Sequence, residues 1–274
     1  PSRSEAVSAA IDLSAILIKE GFELFTSSDV QITGVTNTPL DSLPDIEIAV
    51  ILGGDGTILR GAEATLLRDI PLLGVNLGKV GFLAEVSKPS VSEIAESVIK
   101  KSYVYETRMV LGYSIDREGK EISQGWALNE ITVERSSTTM VELFVEIDKR
   151  PLSHWGCDGL ICSTPTGSTA YAFSAGGPVL WPEIDALVLL PISAHALFSR
   201  PMVVSTKSEI VVTVESTAAV LSADALRKLP LLEGDRVIIT RNPHTIKLAH
   251  INPTLFTDRL VAKFKLPIEG WRGE

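Results

Sequence analysis

The first hundred residues of the chain alternate between apolar residues at helical spacing and short runs rich in β-branched residues. Spacings of three and four residues predict helices, and continuous apolar runs between turn residues predict buried strands. We therefore expect helices at 5–20, 58–67 and 90–101, strands at 22–26, 46–51 and 70–76, and a loop over 27–45. This alternation is typical of an open α/β sheet. Because the pattern opens on a helix, we expect a first strand to precede it in the natural chain.

From residue 102 onward the pattern changes to alternation of apolar and polar positions, most clearly over 141–148. This period of two is typical of half-buried strands. We expect strands at 109–115, 126–134, 141–147, 208–216, 235–240 and 245–250, a short helix at 168–175 and a closing helix at about 256–266. The predicted fold class is an α/β domain over 1–101 followed by a mainly β domain over 102–274, with the closing helix a candidate to pack back on the first domain.

Length, composition and charge indicate how many domains the chain forms and which partners it is not expected to bind. The chain has 274 residues, a hydrophobic share of 45% and a formal net charge of −9, which suits two domains with substantial cores and argues against binding along a nucleic-acid backbone. No apolar run approaches the roughly 20 residues of a membrane span, and no secretory leader is visible, so we expect a soluble, cytoplasmic protein. Cys157 and Cys162 complete no set of zinc ligands and are predicted to be buried thiols.

A glycine-rich turn occupies residues 53–57, between the predicted strand at 46–51 and the helix at 58–67. Backbone N–H groups and the positive end of a helix meet at such a turn, which favours phosphate. Asp55 stands at its centre. Because a carboxylate repels an anion, we predict that Asp55 accepts a hydrogen bond or proton from a hydroxyl held next to the phosphate. The alternative is a tight turn in which Asp55 and Thr57 merely cap the helix.

This turn matches neither of the two common phosphate-binding motifs. No Gly-Lys-Ser/Thr follows it, which excludes a Walker A loop, and the later glycines lack the dinucleotide spacing G-x-G-x-x-G. Arg60 lies one turn further along the predicted helix, close enough to meet a bound anion. Its alternative role is to cover the helix surface.

Two later segments are further candidates. Neighbouring side chains on a strand point to opposite faces, so Asn129 and Glu130 both contact a ligand only if the strand bends; a solvated strand edge is the alternative. Residues 156–178 form a block rich in hydroxyl groups and glycine that could supply Thr and Ser donors, a helix N-terminus and Tyr171 as a stacking surface. Its alternative role is an elaborately capped helix. The four histidines lie in no spaced motif and are expected to serve packing, capping or the surface.

Together these blocks resemble the NAD kinases, which phosphorylate the 2′-hydroxyl of the adenosine ribose of NAD to make NADP. The amino-acid sequence of the block at 158–178 is most similar to that of actinobacterial members. The resemblance covers most of the chain, through 52–57, 76–83, 128–130, 158–178, 198–201 and 270–272. It implies a phosphofructokinase-like sheet with flanking helices in the first domain and an active site in the cleft between the domains.

The resemblance implies roles residue by residue. Asp55 matches the proton acceptor, Asn129 and Glu130 match positions that hold the adenosine portion, and Asp158 matches a contact often made across a subunit boundary. The phosphate-donor turn is matched by Gly53, Gly54, Gly56 and Thr57. The NAD site is matched by Asp55, Gly56, Arg60, Asn129, Glu130, Asp158, Thr169, Ala170, Tyr171, Ala172, Phe173, Ser174 and Asp224.

The resemblance also implies Mg²⁺ or another divalent cation, with ligands left unassigned, and ATP or inorganic polyphosphate as co-substrate. It implies a homodimer or homotetramer, and no nucleic-acid or membrane partner. Two alternatives stay open. One is a lipid kinase of the diacylglycerol type, which shares the glycine turn. The other is a catalytically inactive NAD-binding regulator.

The chain departs from the family pattern at several positions. Family members usually follow an Asp-Gly pair with a polar residue, whereas this chain has Ala225 and Leu226 after Asp224. Leu226 cannot make the polar NAD contact expected there. Thr139 and Gly156 stand where other members place longer polar or basic contacts. Family members also begin with a strand and a glycine-containing turn upstream of the first helix, on the phosphate-donor side, and the sequence printed here does not include them.

Overall fold

The computed structural model describes residues 3–76, 81–84, 89–216 and 219–268. Two compact units are present: residues 1–107 with 246–274, and residues 108–245. The sequence pattern changes at 101/102, whereas the first unit extends to Thr107 and includes the closing helix. The predicted motif positions 77–80 and 270–272 lie outside the described residues.

Helices and strands are numbered along the chain. The helices are α1 (Arg3–Lys19), α2 (Asp55–Thr65), α3 (Val91–Lys100), α4 (Tyr171–Ser174) and α5 (Phe256–Phe264), with 3₁₀ turns at Leu40–Ser42 and Gly167–Thr169. The strands are β1 (Leu24–Thr26), β2 (Val35–Asn37), β3 (Ala49–Leu52), β4 (Pro71–Val75), β5 (Val104–Arg117), β6 (Lys120–Ala127), β7 (Glu130–Arg135), β8 (Val141–Ile147), β9 (Arg150–Cys157), β10 (Gly159–Ser163), β11 (Ala186–Ile192), β12 (Met202–Ser205), β13 (Ile210–Val214), β14 (Ala219–Ala223), β15 (Arg227–Leu231) and β16 (Arg236–His250).

The first unit is an α/β layer structure. Strand β4 pairs in parallel with β3 on one side and with the last residues of β16 on the other. Leu73 and Val75 of β4 pack with α1 and α3 in one core, while Gly74 faces the side chain of Ile58 on α2. Alternate residues of a strand point to opposite faces, so helices cover both faces of this sheet.

The second unit is mainly β. One of its sheets is antiparallel, with the strand order β12-β11-β10-β7-β14-β15. In the other, β13 pairs with β8 and with the first residues of β16, β8 pairs with β9, and β5 pairs with β6. Buried residues from both sheets, Trp155 among them, form a single core, which is the packing of a β-sandwich.

Several sequence predictions are confirmed. The capping box of Ser90 and Glu93 opens α3, and the predicted apolar side of α2 is buried at Ile58, Leu59, Ala62 and Leu66. The α/β and mainly β classes of the two parts are as expected.

Other predictions of secondary structure are wrong. The loop at 27–45 contains β2, which pairs in parallel with β1. The predicted strand at 126–134 is broken into β6 and β7, and the two strands predicted at 235–240 and 245–250 are one strand, β16. Strand β11 was missed because nearly all of its residues are buried, so it shows no period of two.

Candidate active site

The glycine turn joins β3 to α2 within the first unit. Gly53 N–H donates to the Val75 carbonyl at 2.9 Å, and the Gly54 carbonyl accepts from Thr57 and Ile58, so the helix begins at Asp55. Gly54 is the N-cap residue, and within the described part of the chain no side-chain hydrogen bond caps the helix. The alternative reading, in which Asp55 and Thr57 cap α2, is therefore wrong. Helix starts expose N–H groups without intrahelical partners, which suits an anion.

The Asp55 carboxylate binds backbone on the far side of the turn. Its Oδ2 accepts from Phe82 N–H at 3.0 Å and its Oδ1 from Leu83 N–H at 3.3 Å. A Cβ on Gly81 would lie 2.0 Å from Oδ1, so glycine is required for this approach. Each carboxylate oxygen has further lone-pair capacity, and Asp55 is only half-buried. The carboxylate is thus fixed in direction and still open to a ligand.

Three other predicted site residues follow Asp55 on α2. Gly56 and Thr57 form the exposed first turn of α2, and Arg60 is exposed on the next turn. The first unit therefore contains the predicted phosphate-donor turn, Asp55 and Arg60.

Asn129 and Glu130 lie at the break between β6 and β7 in the second unit. They are only 9% and 6% exposed, so the alternative of a solvated strand edge is wrong. The Asp224 carboxylate accepts N–H groups from Leu128, Asn129 and Glu130 at 2.7–3.3 Å. These bonds replace strand pairing, which explains why the predicted strand divides here.

Asp224 is itself held in an unusual conformation. It has a φ of +53° and Ala225 a φ of +56°, in the hairpin turn between β14 and β15. Burial raises the pKa of Asp224, and the hydrogen bonds that it accepts oppose the shift. An ion pair with Arg227 at 3.3 Å engages one of its oxygens. The Asp224 carboxylate therefore organises the loop at 128–130.

Glu130 faces a pocket of about 350 Å³ in the second unit. Its Oε2 is buried and has no hydrogen-bond partner among the residues that the structure describes. Burial, together with the charge of Asp224, raises the pKa of Glu130 to about 8. A buried polar atom without a partner is unfavourable and marks a place where a ligand group can bind. The pocket is lined by Glu130, Thr132, Glu134, Arg135, Tyr171, Val220, Ser222, Ala225 and Lys228.

Sequence reasoning missed five polar residues of this pocket, which are Thr132, Glu134, Arg135, Ser222 and Lys228. Two of them, Thr132 and Glu134, could have been found from the sequence. They follow Glu130 at every second position of β7, so their side chains lie on the same face of the strand as that of Glu130. Arg135 ends the same strand, whereas Ser222 and Lys228 come from β14 and β15, far away in sequence.

The hydroxyl-rich loop after β10 is largely engaged with its own backbone. Thr164 donates to the Leu128 carbonyl at 2.6 Å, and Ser163 donates to that of Asn129 at 3.2 Å. The Ser168 hydroxyl donates to the Pro165 carbonyl and accepts Leu180 N–H. These three side chains are fully buried. The expectation that this part of the block supplies ligand donors is therefore wrong for them, and they hold the loop against residues 128–129.

The following segment, 169–174, is different. Ala172 is fully buried, whereas Tyr171 and Phe173 are 38% and 41% exposed. The Tyr171 hydroxyl donates to Glu134 at 3.4 Å, which directs the ring along the pocket. Thr169 is half-buried and donates to the Thr166 carbonyl. The Tyr171 ring is thus accessible at the pocket, and its role as a stacking surface stays a prediction.

Asp158 is paired with Arg135, with Nε and Oδ1 2.9 Å apart and both side chains about one-third exposed. Arg135 also lines the pocket beside Glu130. The second unit therefore brings Asp158, Asn129, Glu130, Asp224 and Tyr171 into one region.

The two cysteines are free and buried. Their predicted burial is confirmed, and it raises the pKa values of both thiols to about 12. Among the described residues, no group of three or more His, Cys, Asp and Glu side chains could hold a metal ion. No helix in the described part of the chain is long and apolar enough to cross a membrane.

The chain contains a glycine turn at the start of a helix and, in its mainly β unit, a polar pocket. These two features are typical of an enzyme that binds nucleotides. Comparison with known proteins identifies the class. Residues 23–103 match the model of the ATP-NAD kinase N-terminal domain, and residues 128–251 match that of the ATP-NAD kinase C-terminal domain. The chain belongs to the NAD kinase family, whose phosphoryl donor is ATP.

Named relatives agree with this assignment. The chain is 48% identical to NAD kinase 2 of Streptomyces avermitilis over 84% of this chain and 78% of that one. It is 47% identical to the NAD kinase of Corynebacterium diphtheriae over 89% and 78%, and 42% identical to that of Mycobacterium bovis over 96% and 88%. The similarity to actinobacterial members is confirmed, and the lipid-kinase and inactive-regulator alternatives find no support.

Solved structures agree on the fold. Yeast NADH kinase complexed with NADH aligns with a TM-score of 0.85 at 22% identity, over 98% of this chain and 86% of that one, a likeness of fold alone. An NAD kinase from Archaeoglobus fulgidus in complex with ATP aligns with a TM-score of 0.61 at 30% identity, over 78% and 83%.

Proposed function

We propose that this protein is an NAD kinase that transfers a phosphoryl group from ATP to the 2′-hydroxyl of the adenosine ribose of NAD. The observation that carries the proposal is the Asp55 carboxylate, fixed by two N–H groups and open at the start of α2, in a chain that matches both NAD kinase domain models. In this function Asp55 accepts or orients the proton of the ribose hydroxyl, while the amides of the glycine turn bind the donor phosphates. Phosphoryl transfer depends mainly on alignment and charge neutralisation, so no covalent intermediate is required.

The pocket of the second unit is proposed to bind the adenosine part of NAD. Glu130 contributes an unpartnered buried oxygen, and Asn129 lies beside it on the loop that Asp224 organises. Tyr171 offers an exposed ring at the pocket, which suits stacking on a base. Asp158, Arg60 and the segment 169–174 complete the proposed NAD contacts. We propose that Asp224 acts through the loop rather than by direct contact.

A divalent cation, Mg²⁺ in the simplest case, is proposed to accompany the donor. Mg²⁺ in kinases is commonly held by one or two carboxylates together with substrate phosphates. The protein ligands of this ion are left unassigned, because Asp55 is proposed as the proton acceptor and among the described residues no group of three or more His, Cys, Asp and Glu side chains could hold a metal ion. The bound ion would neutralise charge on the donor phosphates.

The proposal is tested by incubating the protein with NAD, Mg²⁺ and either ATP or polyphosphate, and measuring NADP with an NADP-specific dehydrogenase. We expect NADP from ATP, and the parallel reaction decides whether polyphosphate also serves. Asp55→Asn should retain NAD binding by calorimetry and lose at least about 100-fold in turnover. Asp45→Asn is the matched control, since Asp45 is exposed in the same unit, and should remain fully active. Near wild-type turnover by Asp55→Asn would reduce Asp55 to a ligand-orienting role.

We further propose a cytoplasmic homodimer or homotetramer. Two buried, unpaired thiols suit a reducing compartment. Light scattering at several protein concentrations measures the assembly, and a mass equal to one chain at all concentrations would rule it out.

A further inference from the structure

Arg259 lies on α5 and is almost completely buried, at 3% exposure. Its Nη1 donates to the Phe82 carbonyl at 3.1 Å. Its Nη2 lies 3.3 Å from both ring nitrogens of His250, and Glu106 lies 3.7 Å from Nη1. His250 in turn lies 2.8 Å from the same Glu106 carboxylate. The guanidinium is therefore held in place by several partners, and one of its hydrogen bonds reaches the segment at 81–84.

Helix α5 also contacts Phe82 through aromatic rings. The Phe82 ring lies 5.9 Å from that of Phe256 and 5.7 Å from that of Phe264, both in tilted arrangements. Such distances are typical of favourable aromatic pairs. Phe82 is thus held by α5 through its side chain and through its carbonyl.

The contact with Arg259 bears directly on Asp55. The Phe82 carbonyl and the Leu83 N–H belong to the same peptide group, which is planar. Arg259 binds the oxygen of that group, and Asp55 Oδ1 accepts its N–H. Fixing the oxygen therefore fixes the direction of the N–H. A cationic donor on the carbonyl also polarises the group and strengthens the N–H as a donor.

We propose that Arg259 is a positioning residue for Asp55, acting through the peptide group between Phe82 and Leu83. This inference rests on the proposed kinase function, in which Asp55 is the proton acceptor. Arg259 does not touch substrate in this scheme. It sets the orientation of the carboxylate, and an orientation error of about 1 Å in a reacting group can lower a rate about 100-fold.

The test is Arg259→Met, which keeps much of the side-chain volume and removes the hydrogen bond. We expect kcat to fall roughly 10- to 100-fold, with KM for NAD changed less than about threefold, because the proposed adenosine contacts are unaltered. Arg259→Lys retains a cation and a single donor and should recover part of the loss. The matched control is Leu260→Ala on the same helix, which removes buried apolar surface. It should lower the melting temperature and leave kcat of the folded enzyme within about twofold of wild type.

A double-mutant cycle distinguishes positioning from a general structural role. If Arg259 acts through Asp55, Arg259→Met should lower kcat far less in an Asp55→Asn background than in wild type. Equal losses in the two backgrounds, or losses of kcat in Leu260→Ala equal to those in Arg259→Met, would overturn the proposal.

Hydrogen exchange gives a readout that is independent of catalysis. The Phe82 and Leu83 amides should exchange faster in Arg259→Met than in Leu260→Ala, measured under conditions where both variants are folded. Unchanged protection of these amides would refute the inference even if the kinase is active. If instead wild type forms no NADP while the amides respond as expected, the proposed function fails and the structural link remains.

Discussion

Replacing Glu130 by Gln should change how the stability of the second unit depends on pH. Glu130 is buried, one of its oxygens has no partner, and its pKa is raised to about 8. The folded protein therefore keeps this carboxyl protonated at pH values where the unfolded chain ionises it. Gln has nearly the same shape as the protonated acid and never ionises. The variant thus removes only the unfavourable ionisation.

The sign and size follow from linkage. Between pH 4.5 and 8 the folded state binds one more proton at Glu130 than the unfolded state, so this group makes stability fall as pH rises. The loss begins near the ordinary value of 4.5 and levels off above about 8. At about 1.4 kcal/mol per pKa unit, the penalty that accumulates between pH 5 and pH 8 is roughly 3–4 kcal/mol. That is a large part of the stability of an ordinary domain.

Urea unfolding at pH 5, 6.5 and 8 measures the effect, followed by tryptophan fluorescence, to which Trp155 contributes from a fully buried position in the same unit. We expect Glu130→Gln to match wild type within about 1 kcal/mol at pH 5 and to exceed it by roughly 4 kcal/mol at pH 8. Glu121→Gln, on an exposed position of β6, controls for the loss of a surface charge. A stability difference between Glu130→Gln and wild type that stays constant across this range would refute the reasoning.

Three further predictions concern the same unit. Ala225→Gly should stabilise it by about 0.5–1 kcal/mol in thermal unfolding, because Ala225 has a φ of +56° and glycine adopts that conformation without strain; a lower melting temperature would contradict this. Gly167→Ala should cost about 3 kcal/mol or more, since the added Cβ would lie 2.1 Å from the Asn129 carbonyl oxygen, and an unchanged melting temperature would show that the loop can move away. Cys157 and Cys162 should react with a thiol reagent at pH 8 only after unfolding, because burial raises their pKa values to about 12; rapid labelling of the native protein would contradict their burial.

Features that depend on the pattern of neighbouring residues were predicted correctly from the sequence. The capping box of α3 needs only residues three apart, and the buried side of α2 follows from helical spacing. Strand β8 shows the alternation that a half-buried strand requires. In each case the energetic reason lies within a few residues, so a single sequence contains it.

Features that depend on distant residues were not predictable in this way. The break at 128–129 depends on the Asp224 carboxylate, 95 or 96 residues away along the chain. The hydroxyls of Ser163 and Thr164 resemble ligand donors in sequence, yet they bind carbonyls 34 and 36 residues away. Whether a polar side chain binds a ligand or its own backbone is decided by tertiary packing, which the local pattern does not contain.

Asp55 and Asp224 are both expected from the family resemblance to contact NAD, and their carboxylates are held in the same way. Each carboxylate accepts N–H groups from a loop of its own unit. Asparagine retains only one acceptor oxygen and replaces the other by a donor, so an Asp→Asn change at either position disturbs the loop as well as the charge. At Asp55 the two effects are inseparable in a single variant. Arg259→Met leaves the carboxylate intact and alters only its support. Comparing its kcat loss with that of Asp55→Asn therefore separates what orientation contributes from what proton acceptance contributes.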